Sequence, residues 1–252
     1  MVVKKKLYEG KAKIIYKSSR PNTLIQYFKD DATAFNNKKK DIIPGKGVIN
    51  NFISELLMSK LSELNIQTHL IERLNMREQL VHELDIIPIE VVIRNIATGS
   101  LVKRLGIDEG KVLSRPLLEF YLKNDSLNDP IISEEHILAF DWASSHELEE
   151  IISVSLRVND FLLGYFLSQQ IRLIDFKLEF GRYWNNGEQI IMLGDEISPD
   201  NCRLWDVQTN KKLDKDRFRH DLGDIDKAYK EVAFRLGVLS EQEFKKALKD
   251  EV

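Results

Sequence analysis

Residues 174–180 alternate strictly between apolar and charged side chains, and this pattern constrains the fold more than any other in the chain. The charged positions are Asp175, Lys177 and Glu179. Because successive side chains of a strand point to opposite faces, the pattern predicts a strand with one buried face and one charged face. Asn185-Asn186-Gly187 then predicts a hairpin turn into a second strand, Glu188–Glu196.

This hairpin is predicted to bring carboxylates and an ammonium group together. Antiparallel pairing around Asn186 sets Asp195 roughly opposite Lys177, with Glu179 one step along the same face. Gly194 keeps the approach to Asp195 open. Mg²⁺ on nucleotide phosphates is usually held by one or two protein carboxylates, so the cluster is typical of such a site. Alternation alone fits an ordinary solvent-exposed strand face equally well.

The other strand signals lie in the first part of the chain. Residues 1–45 favour strands, and further strands are predicted at His69–Glu72 and Ile86–Arg94. The segment between these two strands contains Arg77 and Glu78 and is predicted to connect two lobes.

Helical patterns follow the strands. Gly45-Lys46-Gly47 opens an amphipathic helix, and Ser144 with Glu147 forms a capping box for a long helix over residues 145–169. Two more helices are predicted at Asp224–Leu236 and Ser240–Lys249. The mixture indicates a two-lobed α+β protein with a cleft, divided into a β-rich lobe (1–85) and an α+β lobe (86–252).

The composition excludes several classes of protein. A formal net charge of −3 over 252 residues disfavours nucleic acid as a partner. The single cysteine, Cys202, cannot form an internal disulfide, which favours a reducing cytoplasm. No apolar run approaches the length of a bilayer span, so we expect a soluble protein with no membrane partner.

A glycine followed closely by two lysines marks a candidate anion site near the N-terminus. Gly10 allows close backbone approach to an anion, and Lys11 and Lys13 add positive charge beside it. A single glycine in a hairpin turn is commonplace, so this signal is weak by itself.

Two further segments carry basic residues into predicted turns. A strand delivers Arg94 to a loop where Gly99-Ser100 begins a short helix, an arrangement that suits a phosphate or carboxylate. A capped helix with a surface arginine explains it as well. Later in the chain, Arg203 and Arg219 lie in turn-rich sequence and would close the anion site, although solvated charge remains the default reading of Arg219.

Together these segments resemble the phosphoribosylaminoimidazole-succinocarboxamide synthase (SAICAR synthetase) family, from about Lys5 to Val238. Several long motifs occur in the order typical of the family, which is far more specific than a lone glycine loop. They are Lys6–Lys13, Pro88–Glu90 with Arg94 and Thr98–Ser100, Asp175–Gly181, Gly194–Glu196, Ser198–Asp200, Arg203–Asp206 and Asp214–Arg219.

The resemblance implies roles for some of the matched positions. It implies ATP between the lobes, with its phosphates at Lys11, Ala12 and Lys13 and its adenine near Ile86. It implies Mg²⁺ at Glu179 and Asp195. The residues implied for the ribonucleotide substrate are Arg94, Ser100, Asp175, Arg203 and Arg219. The catalytic residues implied are Lys177 and Asp175, while the roles of Lys123, Asp129 and Asn36 stay open.

The implied reaction joins L-aspartate to a carboxylated aminoimidazole ribonucleotide at the expense of ATP, in purine biosynthesis. A small-molecule kinase needs the same ATP cleft and Mg²⁺ carboxylates, so it is the nearest alternative. A non-enzymatic nucleotide-binding module is a second alternative, of another class. The sequence leaves open whether the chain forms a homo-oligomer.

Overall fold

The structure is a computed structural model that describes residues 4–34, 39–185, 187–240 and 242–243. The first part of the chain forms strands and one long helix, which are β1 (Lys6–Glu9), β2 (Lys13–Lys17), β3 (Thr23–Phe28), β4 (Asp31–Ala34), β5 (Lys39–Ile42), α1 (Lys46–Glu63), β6 (Leu70–Arg73) and β7 (Glu78–His82).

The second part alternates strands with helices. These elements are β8 (Asp85–Ile96), α2 (Gly99–Leu105), β9 (Val112–Leu122), a 3-10 turn (Asp125–Leu127), β10 (Ile131–Ile132), α3 (Glu134–Ala139), α4 (Ser145–Ser168), β11 (Ile171–Asn185), β12 (Glu188–Leu193), β13 (Cys202–Asp206), α5 (Asp216–Arg219) and α6 (Ile225–Arg235). The predicted α+β class is confirmed.

Two antiparallel sheets organise these elements. The first has the strand order β1-β2-β3-β7-β6, and the second has the order β10-β9-β8-β11-β12, with β13 also paired to β11. Strands β4 and β5 form a separate hairpin. One apolar core contains residues of α1, β8, α4, β11 and α6, so the two parts of the chain share a core. The division at residues 85 and 86 into two lobes stays a prediction.

The predicted hairpin is confirmed. Asn185 pairs with Glu188, so β11 turns into β12 through two residues. Asn186 itself lies outside the described residues. Strand β12 ends at Leu193 rather than continuing to Glu196, because Asp195 has a φ of 59°, a left-handed conformation that does not fit a ladder.

The predicted connector around Arg77 and Glu78 is wrong. Glu78 begins β7, an inner strand of the first sheet between β3 and β6. Just before this strand, Arg77 Nη1 donates to Asp30 Oδ1 at 2.8 Å. Asp30 also accepts from the Gly47 amide at the start of α1, so the pair joins that helix to the sheet.

The predicted helices are largely confirmed. Ser144 Oγ accepts from the Glu147 amide and Glu147 Oε2 from the Ser144 amide, which completes the capping box of α4. By length and composition alone α4 could cross a membrane, but its Ile151, Val158 and Leu162 belong to the core beside β11. Of the predicted final helix, only the start is described, where the Glu243 amide donates to Ser240 Oγ at 3.2 Å.

Gly47 packs so closely against Arg77 that we expect a side chain at this position to destabilise the protein. A Cβ added there would overlap the Phe28 carbonyl and lie 2.5 Å from Arg77 Nη1. We expect Gly47→Ala to reduce the free energy of unfolding by about 1–3 kcal/mol because of this overlap. The matched control is Gly164→Ala in α4, where a Cβ meets nothing within 4 Å. It should stabilise the protein by about 0.5–1 kcal/mol through helix propensity. Equal thermal shifts for the two variants would contradict the role given to Gly47.

Candidate active site

A cavity of about 630 Å³ is lined by residues of both sheets. Its wall contains every site residue predicted from the sequence, namely Lys11, Ala12, Lys13, Ile86, Arg94, Ser100, Asp175, Lys177, Glu179, Asp195, Arg203 and Arg219. The size is within the range of small-molecule and cofactor sites. The structure therefore brings together residues that are up to 208 positions apart, from Lys11 to Arg219.

Lys177 is at the centre of one group of charges in this cavity. Strand β11 points its ammonium group away from the apolar core, and Lys177 Nζ lies 2.6 Å from Glu90 Oε1 and 2.6 Å from Glu179 Oε1. Asp195 Oδ2 is 3.9 Å from the same nitrogen. The expected convergence of two carboxylates and an ammonium group is present.

Two more lysines complete this group. Lys13, the first residue of β2, forms an ion pair with Asp195 and lies 2.9 Å from Glu196 Oε1. Lys123, just beyond β9, lies 2.6 Å from Glu179 Oε2. Positive and negative side chains therefore alternate. We call Lys13, Lys123, Lys177, Glu90, Glu179, Asp195 and Glu196 the lysine–carboxylate cluster.

The predicted route by which Asp195 reaches Lys177 is wrong. The pairing of Phe180 with Leu193 would place Glu196, not Asp195, opposite Lys177 if the ladder continued. Instead the strand ends, and Gly194 N donates to Glu179 O at 2.9 Å. The left-handed turn at Asp195 then directs its carboxylate towards Lys13 and Lys177.

The electrostatics favour the ionised forms of Lys177, Glu179 and Asp195. Burial favours the neutral form of Lys177, but the carboxylates of Glu179, Asp195 and Glu90 outweigh it and raise the pKa of Lys177 well above its ordinary value. Burial likewise opposes ionisation of Asp195, yet Lys13 and Lys177 lower the pKa of Asp195. At neutral pH both carboxylates predicted to bind a metal are therefore anionic. Glu90 differs from these two carboxylates, because its burial raises its pKa although Lys177 opposes the shift.

Arg94 organises a second group of charges at another part of the wall. Its side chain is buried, with 3% of its surface exposed. The guanidinium donates to Glu119 at 2.7 Å, to Asp175 at 2.8 Å and to Ser100 at 3.0 Å. Strand β8 holds Arg94 opposite Asp175 of β11, which explains how the pair forms.

The second group continues through two more arginines. Arg203 Nη1 donates to both oxygens of Asp175, at 3.0 and 2.8 Å, and its Nε donates to Asp216 at 2.8 Å. Arg219 donates to the other oxygen of Asp216 at 2.5 Å. We call Arg94, Ser100, Asp175, Arg203, Asp216 and Arg219 the arginine cluster.

The β1–β2 turn and an apolar wall form the remaining sides. Gly10 N donates to Lys13 O at 2.9 Å and closes the turn, while Lys11 lies 2.6 Å from Asp125. Ile86, at the start of β8, is 42% exposed and lines the cavity. Its apolar neighbours along the wall are Ile15, Leu24, Val81, Leu84 and Val92. Such a surface suits a flat aromatic ring.

Sequence reasoning missed several partners of the site residues. Asp216 holds Arg203 and Arg219, and Glu119 and Tyr121 hold Arg94. Strand β9, which carries Glu119 and Tyr121, was not predicted. The alternation of Glu119 and Tyr121 with apolar residues could have revealed the strand, but no pattern in the chain showed which arginine each would contact.

The architecture and its sequence match known proteins over almost the whole chain. The family model described as SAICAR synthetase matches residues 6–236. A phosphoribosylaminoimidazole-succinocarboxamide synthase of Acidiphilium cryptum is 62% identical over 241 residues, which cover 96% of this chain and 95% of the relative. The chain belongs to the SAICAR synthetase family.

Solved SAICAR synthetases share the fold as well as the sequence. The crystal structure of the Ehrlichia chaffeensis enzyme is 53% identical with a TM-score of 0.92 and covers 94% of this chain and 100% of its own. A type-2 SAICAR synthetase in complex with ADP is 45% identical with a TM-score of 0.87, covering 91% and 96% of the two chains.

Membership defines the reaction. The chain is an ATP-dependent ligase that condenses L-aspartate with a carboxylated aminoimidazole ribonucleotide in purine biosynthesis. Neither the kinase nor the binding-module alternative is supported. The residues that carry out each step are not defined by membership and have to be argued from the geometry.

Proposed function

We propose that the cavity between the two sheets is the active site of this ligase. In the proposal, ATP phosphates bind at the lysine–carboxylate cluster and the ribonucleotide binds at the arginine cluster. The observation that carries the proposal is the presence of both clusters in one cavity, joined through β11, which supplies Lys177 and Asp175. A ligase must bring a phosphoryl donor and an anionic acceptor together, and this arrangement does so.

The nucleotide would lie along the β1–β2 turn. Lys11, Ala12 and Lys13 would meet the ATP phosphates, because the turn combines backbone groups with two ammonium groups. The adenine would lie against Ile86 and the apolar wall. Lys13 supports this placement because it belongs to the first sheet yet contacts carboxylates that follow β12 of the second.

Glu179 and Asp195 are proposed to hold Mg²⁺. Both offer ionised oxygens, and both lie close to Lys177 Nζ, Glu179 at 2.6 Å and Asp195 at 3.9 Å. No group of three or more metal-binding side chains occurs within the described residues. This is compatible with Mg²⁺, which usually takes only one or two protein carboxylates beside phosphate and water. Bound there, Mg²⁺ would neutralise charge on the transferred phosphoryl group.

The charge balance of the cavity favours an added cation. Among the described lining residues, basic and acidic side chains occur in equal number. ATP and the ribonucleotide are both strongly anionic, and a wall with balanced charge does not neutralise them. A divalent cation bound with ATP supplies the missing positive charge.

The chemistry requires an activated carboxylate, since a free carboxylate is a poor acyl donor. We propose that an oxygen of the ribonucleotide carboxylate takes the γ-phosphoryl group of ATP, releasing ADP and forming an acyl phosphate. The α-amine of aspartate then attacks the acyl carbon, phosphate leaves, and the nitrogen loses a proton to give the amide. Lys13 and Lys177 would stabilise the charge that develops on the phosphoryl oxygens.

Asp175 is proposed to act as a positioning residue. Its carboxylate accepts from Arg94, Arg203 and Thr98, so its hydrogen-bonding capacity is largely used within the protein. The resemblance implies that Asp175 is catalytic, and we propose the more limited role of positioning the arginines. Arg94, Arg203, Arg219 and Ser100 would then present donors to the phosphate of the ribonucleotide.

We also propose that the protein is located in the cytoplasm and that the chain is divided into two lobes, 1–85 and 86–252.

The assignment of the reaction predicts a strict dependence on three substrates. We expect ADP release only when ATP, L-aspartate and the carboxylated ribonucleotide are all present, apart from slow hydrolysis of the acyl phosphate. A coupled assay for ADP, with each substrate omitted in turn, measures this. Equal ADP release without aspartate would indicate a kinase and contradict the proposal.

Arg94→Lys is expected to weaken use of the ribonucleotide. The guanidinium contacts Glu119, Asp175 and Ser100 at once, and an ammonium group cannot reproduce that planar set of donors. We predict a rise of about tenfold or more in the KM of the ribonucleotide, with the KM of ATP nearly unchanged. Arg182→Lys, which alters an ion pair with Glu147 outside the cavity, is the control. An equal rise in both KM values would assign Arg94 to the other subsite.

Asp195→Asn tests the proposed metal site and its electrostatics together. Asparagine is a weaker Mg²⁺ ligand, so the Mg²⁺ concentration for half-maximal activity should rise and turnover should fall. In chelator at pH 7 the variant should lose about 1–3 kcal/mol of stability, because Lys13 loses one of its two carboxylate partners.

The same variant has a defined pH dependence. The pKa of Asp195 in the fold lies below its ordinary 3.8, so its contribution is present above about pH 4 and is lost as the pH falls further. The stability difference from wild type should therefore shrink below pH 4 in thermal unfolding. Glu188→Gln, an exposed position on the same hairpin, is the control. An unchanged Mg²⁺ requirement, with loss of stability alone, would make Asp195 a structural partner of the lysines.

A further inference from the structure

Lys215 differs from every other basic residue of the cavity wall. Among the described residues that line the cavity, Lys11, Lys13, Lys123, Lys177 and the three arginines all have ion pairs. Lys215 lines the same cavity, yet its ammonium group has no hydrogen bond or ion pair within the described part of the chain. None of the sequence motifs suggested a role for it.

The neighbouring carboxylate, Asp200, attracts Lys215 but forms no ion pair with it. Asp200 is the acidic group that acts most strongly on Lys215, but Asp200 Oδ2 accepts from Lys46 at 2.6 Å and Oδ1 from Tyr229 at 2.6 Å. Both oxygens of Asp200 are thus used in a buried network, although Asp200 also lines the cavity. Lys215 lines the cavity with its ammonium group unpaired among the described residues.

An ammonium group in this position is costly without a counter-charge. Burial, followed by repulsion from Lys46 and Arg219, lowers the pKa of Lys215 to about 8 despite the attraction of Asp200 and Glu196. Groups of this kind are expected to be satisfied when an anion binds. The bound anion would have to come from a substrate.

The surroundings of Lys215 favour one of the three substrates. The Lys215 amide donates to Pro199 O at 3.2 Å, three residues after Glu196, which pairs with Lys13 of the lysine–carboxylate cluster. The next residue after Lys215 is Asp216, which holds two arginines of the arginine cluster. It therefore lies where the two proposed subsites meet. The acyl phosphate would form at that junction, and the amine nucleophile must approach it there.

On this basis, and resting on the proposed function, we propose that Lys215 binds a carboxylate of L-aspartate and positions its α-amine beside the acyl carbon. A compact ammonium group suits a single carboxylate, whereas the planar arginines suit the phosphate of the ribonucleotide. Lys215 would thereby select an amino acid that carries an additional negative charge.

The test measures the KM of each substrate in Lys215→Met. We expect the KM of L-aspartate to rise at least tenfold, about 1.4 kcal/mol of binding free energy, while the KM values of ATP and the ribonucleotide change less than twofold. The matched control is Lys211→Met, an exposed lysine four positions earlier that does not line the cavity. It should leave all three KM values unchanged.

The outcomes separate this inference from the proposed function. If wild-type protein releases ADP equally fast without aspartate, the proposed function fails. If wild type needs all three substrates but Lys215→Met raises only the KM of the ribonucleotide, Lys215 belongs to the phosphate subsite and the inference is wrong. Lys215→Gln, which keeps a polar side chain, is the second variant if the methionine variant does not fold. Loss of the folded state in both variants would give Lys215 a structural role and also overturn the inference.

Discussion

The structure depends on the burial of ionised side chains along one face of strand β11. Asp175 and Glu179 are 3% and 5% exposed, and an isolated buried carboxylate would cost several kcal/mol. Asp175 is held by Arg94 of β8 and Arg203 of β13. Glu179 is held by Lys177 of β11 and by Lys123, which lies just beyond β9. The other face of β11 carries Phe176, Leu178 and Phe180 into the main core. One strand is therefore both the centre of the core and the floor of the cavity, so the charged face cannot shift without displacing the apolar one.

The two sheets are joined at the same place. Lys13 begins β2 of the first sheet and contacts Asp195 and Glu196, which follow β12 of the second. A bridge between Thr68 and Leu193 supports the junction with backbone hydrogen bonds. Because these contacts lie at the cavity rather than away from it, a ligand bound to the lysine–carboxylate cluster would touch both sheets. A few ion pairs therefore couple the binding of a ligand in the cavity to the relative position of the two sheets.

Sequence patterns correctly predicted those elements that depend on residues close together in the chain. The alternation of β11, the hairpin turn and the capping box at Ser144 depend on neighbours within a few residues, and all three are confirmed. Strand β7 was missed because the residues on both of its faces are buried, so its sequence lacks the alternation that marks a strand. The position of Asp195 was predicted for the wrong reason, since a single left-handed residue ended the ladder before it. The lining residues came from motif resemblance, but their partners depend on tertiary contacts that no periodicity encodes.

The paired charges also define what binding must change. In the structure the lysines of the proposed phosphate site already form ion pairs with carboxylates. Phosphates would have to replace Asp195, Glu196 and Glu179 as partners of these lysines. A carboxylate that loses its lysine in a poorly solvated cavity needs another cation. Mg²⁺ entering with the nucleotide would supply that cation to the same carboxylates. The lysines would then contact phosphate, and the carboxylates would bind the metal. On this view nucleotide and metal bind as one unit, because either alone would leave buried charges of one sign without partners. Lys215 is outside this exchange, since it has no internal carboxylate to release and is ready for an incoming anion.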